Sequence, residues 1–316
     1  MKSEQDKNIN HFTEWLNNNH AYYVPYKKQK EEGIESLTNL LNDDNLIEND
    51  DFIVEDHPQF NKLIDEIENS KVQYLFTMGK GGVGKTTVAT QLATTLSNKG
   101  YRVLLATTDP TKEINVETTS NLNTAYIDEE QALEKYKKEV LATVNDDTPQ
   151  DDIDYIMEDL KSPCTEEIAF FKAFSDIMEN QDDMDYVIVD TAPTGHTLLL
   201  LDSSENHHRE LKKKSTQTTS NVETLLPKIQ NKNLTQMIIV TLAEKTPYLE
   251  SKRLVEDLNR ANIGHNWWVV NQSLVTLNQR DDLFSNKKED ESFWINKIKN
   301  ESFDNYFVIP YRISEC

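Results

Sequence analysis

Positive charge is scarce in this sequence: 33 lysines and arginines stand against 55 aspartates and glutamates, a net charge of −22. Such a chain repels phosphate backbones and anionic headgroups, so general binding of nucleic acid or of a lipid surface is disfavoured. Cysteine is scarcer still. Cys164 and Cys316 are far apart and no CxxC pair exists, so one chain cannot build a zinc clasp or an iron–sulfur framework. Low cysteine usage suits a reducing cytoplasm. Long apolar runs are absent. The densest, Leu198 to Leu201, falls far short of the roughly 20 residues that span a bilayer. The opening MKSEQDKNINHFTEW has no apolar core for a secretory signal. A soluble, cytoplasmic protein is expected, and a hydrophobic content of 37% over 316 residues is enough for a packed core.

Glycine is the informative shortage. The chain has eight, and four of them fall in residues 79–87, GKGGVGKTT. Residues 72–78, VQYLFTM, precede this stretch and read as a buried strand. A helix is expected from Lys85 to Lys99, with Val88, Ala89, Leu92, Ala93 and Leu96 on one face. Further strands are expected at 102–107 (RVLLAT), 186–190 (YVIVD), 237–242 (MIIVTL), 267–271 (WWVVN) and 306–309 (YFVI). Strands alternating with helices imply an α/β fold with a mostly parallel sheet covered on both faces. Residues 120–180 are acidic and read as a helical insertion above the carboxyl edge of the sheet.

The first 70 residues stand outside this cycle. Residues 21–26, AYYVPY, echo residues 306–311, YFVIPY. Residues 1–42 are therefore expected to be the closing strand and helix of a preceding, similar half. Residues 43–70 read as an acidic linker and a lead-in helix, and residues 71–316 as the main domain. Chance similarity between two aromatic strands remains the alternative.

The spacing Gly-x4-Gly-Lys-Thr is that of a P-loop, placed between a strand and a helix as the motif requires. Successive backbone N–H groups of Gly79, Gly81, Gly82, Val83 and Gly84 wrap phosphate oxygens, and a Cβ would obstruct the approach. Lys85 supplies a cation to the β- and γ-phosphates, Thr86 a hydroxyl to Mg2+, and Thr87 a further hydroxyl in the first helical turn. Asp109 ends the second strand, where a carboxylate can orient attacking water or contact Mg2+ through water. Asp190 ends the next strong strand, the arrangement that holds hydrated Mg2+. Taken singly, either aspartate also fits a helix cap. Ser162 and Pro163 read as an N-cap and a first helical residue, which sets Cys164 in the first turn, where the helix dipole favours thiolate. A buried, inert thiol is the plainer reading of Cys164.

A second lysine, Lys80, opens the loop. It resembles the deviant P-loop of a family that includes septum-positioning, plasmid-partitioning and arsenite-pump ATPases and the nitrogenase iron protein. Within it the chain is most similar to the second half of the arsenical pump-driving ATPases. The resemblance rests on GKGGVGKTT, on TTDP at 107–110, on SPCTEEIAFFKAFS at 162–175 and on DTAPTGHTLLLLD at 190–202. His208-Arg209-Glu210, TLAEKTPYLE at 241–250 and VNQSL at 270–274 add to it. It covers about residues 57–313, and residues 1–42 resemble the end of the first half.

The resemblance implies ATP hydrolysis at composite sites between two matching halves, from a homodimer or a separate first-half chain. It implies that Lys80 reaches across that interface, as an arginine finger does, and that Asp109 is the switch I aspartate. Asn271 falls on the adenine-recognition position. Cys164, His196 and Ser162 fall on metalloid-ligand positions, with arsenite or antimonite as activator; alternatively His196 only caps its helix. The partners implied are a membrane arsenite carrier, which would hold the subunit at the membrane periphery, and an arsenic metallochaperone. Residues 111–115, TKEIN, depart from the small-residue run usual after switch I, and the family's C-terminal helix is expected to be lacking after Cys316. Two other functions stay in view. One is a targeting factor for tail-anchored membrane proteins, disfavoured by six methionines in all and no CxxC. The other is a nucleotide-regulated scaffold without turnover.

Overall fold

Among the described residues are seven short strands, seven helices and one further helical turn at residues 227–230. The computed structural model describes residues 57–107, 120–142, 144, 149–179, 181, 183–190, 227–277 and 282–311. In chain order the elements are α1 (Phe60–Ser70), β1 (Tyr74–Met78), α2 (Lys85–Asn98), β2 (Val103–Thr107) and β3 (Leu122–Tyr126). Then follow α3 (Glu129–Leu141), α4 (Gln150–Asp159), α5 (Pro163–Glu179), β4 (Tyr186–Asp190) and β5 (Thr235–Thr241). The last four are α6 (Lys245–Arg260), β6 (Trp267–Ser273), α7 (Asp282–Glu301) and β7 (Tyr306–Pro310). The strands form one sheet in the order β3-β2-β4-β1-β5-β6-β7, and every pairing is parallel. This is the expected α/β architecture of a P-loop NTPase.

Parallel strands need crossovers, and crossovers lay helices on both faces. That is why β1, β2, β4 and β5 are buried at every residue. Alternate side chains enter two separate cores. Leu75, Leu105, Ile188, Ile238 and Val269 meet Val88, Ala89, Leu92 and Leu96 of α2 and Leu63, Ile64 and Ile67 of α1. Phe76, Val187, Ile239, Trp268 and Val270 meet Leu254 and Leu258 of α6, Ile295 and Ile298 of α7 and Phe174 of α5. Leu63, Leu92 and Leu96 are fully buried, each contributing roughly 1.5–3 kcal/mol of apolar transfer. The face expected on the first main helix is the buried face of α2, and the expected lead-in helix is α1.

Two corrections follow. Residues 120–180 are not wholly helical. Residues 122–126 pair in parallel with β2 as the edge strand β3, and α3, α4 and α5 come after it. Only Leu122 of β3 is buried, so no apolar alternation announced the strand. Moreover α5 is no mere cover above the edge, since Phe174 packs edge-on against Phe76 of the sheet at 5.2 Å between ring centroids. Residues 1–56, which include the expected closing elements of a preceding half, lie outside the described residues, as does the segment after Tyr311.

Candidate functional site

All seven strands point their carboxyl ends to one rim, and the helix N-terminus of α2 opens there. In such sheets ligands bind at that rim, where neighbouring crossovers diverge. Residues 79–84 bridge β1 to α2 at the middle of the sheet. Gly79 lies so close to β5 that a Cβ would meet the Val240 carbonyl oxygen at 2.1 Å. Gly84, the N-cap of α2, has φ 90°. A Cβ on it would fall 2.2 Å from Nδ2 of Asn271. Both glycines are thus fixed by packing as well as by the backbone turn.

The Lys85 side chain folds back over the loop, and its Nζ donates to the Lys80 carbonyl at 3.3 Å. The ammonium is thus held at the start of the loop, and the first N–H groups of α2 follow at its end, the local chemistry that attracts a polyphosphate. Lys80 is itself exposed, as are Gly81, Gly82 and Thr87, while Val83 is buried and Thr86 half-buried.

Asp190 is buried at the end of β4, between β1 and β2. The parallel register sets both Thr77 and Thr107 beside it. Thr77 Oγ1 donates to one carboxylate oxygen and Thr107 Oγ1 to the other, each at 3.4 Å. Two hydroxyls on flanking strands therefore orient the acid and compensate its burial in part. The two threonines were not singled out in the sequence. Their signal is a polar residue near the end of an otherwise apolar strand. Asp190 and the Thr86 hydroxyl are hard oxygen donors and fit Mg2+, which keeps several waters and takes one or two protein oxygens.

Asn271 is buried on β6. Its Nδ2 donates to the Val83 carbonyl of the loop at 3.0 Å. Its Oδ1 accepts from Gln272 N at 3.0 Å, a contact made possible by the left-handed Gln272 (φ 55°). The residue expected to read adenine is thus a strut beneath the loop of residues 79–84. It lines a hollow shared with Glu244, Ser273, Leu274, Glu291 and Tyr311.

The other expected site residues are brought together only in part. Ser162 and Cys164 sit at the start of α5, which begins at Pro163 as its N1 character requires. Asp109 and His196 lie outside the described residues. Among the described residues no group of three or more His, Cys, Asp or Glu is poised to hold a metal ion. Nor, among them, is any helix long and apolar enough to cross a membrane.

Comparison with known proteins fits this geometry. The sequence model of the family described as anion-transporting ATPase matches residues 72–227 and 213–315. The arsenical pump-driving ATPase of Acidiphilium multivorum is 38% identical over 257 residues, covering 80% of this chain and 44% of the relative. One of Escherichia coli is 36% identical over 294 residues, covering 90% of this chain and 49% of the relative. The chain thus spans about half the length of these relatives. A putative arsenical pump-driving ATPase 2 of Aquifex aeolicus is 32% identical over 284 residues, covering 77% of this chain and 94% of the relative.

Proposed function

Because this chain belongs to the anion-transporting ATPase family, we propose that it hydrolyses ATP to drive export of arsenite or antimonite through a membrane carrier. The observation that carries the reading is the loop of residues 79–84. It is pinned between β5 and Asn271, with Lys85 at its mouth and the buried Asp190 held at a neighbouring strand end. Loop amides, Lys85 and the α2 dipole bind the phosphates. Thr86 and Asp190 hold Mg2+, which when bound neutralises charge on the phosphates and lowers the cost of transfer. Asn271 has a second amide hydrogen to offer the base in the adjoining hollow.

The remaining roles rest on likeness to the family. A matching P-loop half faces the site, and Lys80 of each half supplies positive charge to the other half's nucleotide. Its exposure is consistent with that reach. Asp109 orients the attacking water. Cys164, Ser162 and His196 contribute to a metalloid site shared with the matching half, and its occupancy favours the closed, hydrolysing interface. An arsenic metallochaperone delivers the metalloid.

The test is phosphate release by the full chain, alone and mixed with a matching half, with and without antimonite. Stimulation by antimonite that disappears in Cys164→Ser, together with loss of nucleotide binding in Lys85→Ala, is the expected result. Turnover indifferent to antimonite would remove the pump reading and leave an ATPase that serves another cargo. Nucleotide bound without turnover would make it a scaffold.

A further inference from the structure

Glu291 lies on the stripe of α7 that faces the protein, in line with Ile295 and Ile298 at helical spacing. It is buried to 4% exposure. A carboxylate is costly there unless it is well paired. Its Oε2 accepts from the Ser273 hydroxyl at 2.8 Å and from the Leu274 backbone N–H at 2.7 Å. Ser273 Oγ in turn accepts from Val275 N at 3.2 Å. One turn away on the same stripe, the buried Lys288 donates to the Leu277 carbonyl. Two charged side chains of α7 thus grip both ends of the turn that leaves β6.

That turn is one wall of the hollow beside Asn271, and Ser273 stands two residues from the strut that holds Val83. The Ser273 carbonyl accepts from Tyr311 N at 2.9 Å. Tyr311, which also lines the hollow, is thereby tied to the same residue. A helix cap or a solvent contact does not account for this arrangement, because the carboxylate faces inward and spends its acceptors on one turn.

We propose that Glu291 is a positioning residue for the nucleotide base: it fixes Ser273 and Leu274 as the wall against which the base packs. This rests on the nucleotide-binding reading above. The phosphates are held by residues 79–86, which Glu291 does not touch. Loss of its carboxylate therefore weakens ligands that carry a base and spares those that do not.

The test is calorimetric titration of the full chain, in magnesium buffer, with ATP and with inorganic tripolyphosphate. For Glu291→Ala, ATP affinity is expected to fall about tenfold or more, as buried donors lose their acceptor. Tripolyphosphate affinity should stay within about twofold of the unsubstituted chain. Glu291→Gln keeps a carbonyl acceptor and should recover ATP affinity to within about threefold. Ser273→Ala, a smaller change that serves if Glu291→Ala does not fold, should weaken ATP alone. Unchanged ATP binding, or an equal loss for both ligands, would overturn the proposal. An unsubstituted chain that bound neither ligand would instead remove the nucleotide-binding reading, and this one with it.

Discussion

The carboxamide of Asn271 occupies the space that a side chain on Gly84 would need: a Cβ there would stand 2.2 Å from Nδ2. Gly84→Ala therefore carries two penalties. One is steric, and the other is a left-handed backbone at φ 90°, worth roughly 1–2 kcal/mol for an L-residue. In an Asn271→Ala background only the backbone penalty remains. Chemical denaturation of the four proteins in this cycle is expected to show a smaller cost of Gly84→Ala when Asn271 is absent. Equal costs in both backgrounds would mean that the two residues do not meet.

The Asp190 carboxylate and its two threonines form a second coupled set. Thr77→Val and Thr107→Val each remove a donor while keeping shape, and each is expected to destabilise by about 1 kcal/mol or more. In an Asp190→Asn background, where no charge needs support, the same substitutions should cost less. Thermal melts of the set read this directly. Asp190→Asn should also lower magnesium-dependent phosphate release on the order of a hundredfold while ATP still binds without magnesium.

Arg102 and Asp185 tie the start of β2 to the start of β4. Asp185 accepts from Arg102 N at 2.8 Å and Nε at 3.3 Å through one oxygen, and from an Arg102 terminal nitrogen at 3.0 Å through the other. These side-chain bonds from Arg102 hold the Asp185 carboxyl below its ordinary 3.8. A depressed carboxyl stabilises the fold above its unfolded value and loses that contribution as pH falls through the folded one. The pair is partly exposed, so solvent screening keeps its contribution small. Asp185→Asn should lower the melting temperature slightly at neutral pH, and the gap should close below pH 3.8.

Glu291 has the opposite sign. Burial pushes its carboxyl above 4.5, against the pull of the Ser273 hydroxyl and the Leu274 amide. A raised carboxyl binds its proton more tightly in the folded state, so stability falls as pH rises from the unfolded value through the folded one. Relative to the parent, Glu291→Gln is therefore expected to gain stability from pH 4.5 upward. Melting curves across that range would show a parallel trend for the two proteins if burial did not govern the group.

What the sequence made legible was the apolar and the local. Six strands and the buried face of α2 follow from runs and periodicity that any parallel sheet demands. The edge strand β3 did not, because LNTAY buries one residue and faces solvent with most of the others. The glycine-rich loop of residues 79–84 was plain from spacing alone. The role of Asn271 as a strut was not, since its partner Val83 is 188 positions away. Glu291 and Lys288 left a faint trace, two charges on the same helical stripe as Ile295 and Ile298. Only packing explains them: a buried charge reveals its purpose through its partner, and the partners here lie on a turn that periodicity cannot position.

The parallel sheet has a second rim, at the amino ends of its strands, and it carries a different kind of backbone. Lys71 before β1, Asn262 before β6, and Phe303 and Asp304 before β7 are all left-handed, and Phe303 is 86% exposed. These tight corners stand a full strand length from residues 79–87. A fluorophore or a surface tether joined at Phe303 or Asn262, both exposed, would leave the opposite rim open. The molecule thus has a built-in handle by which it can be immobilised and watched while nucleotide comes and goes.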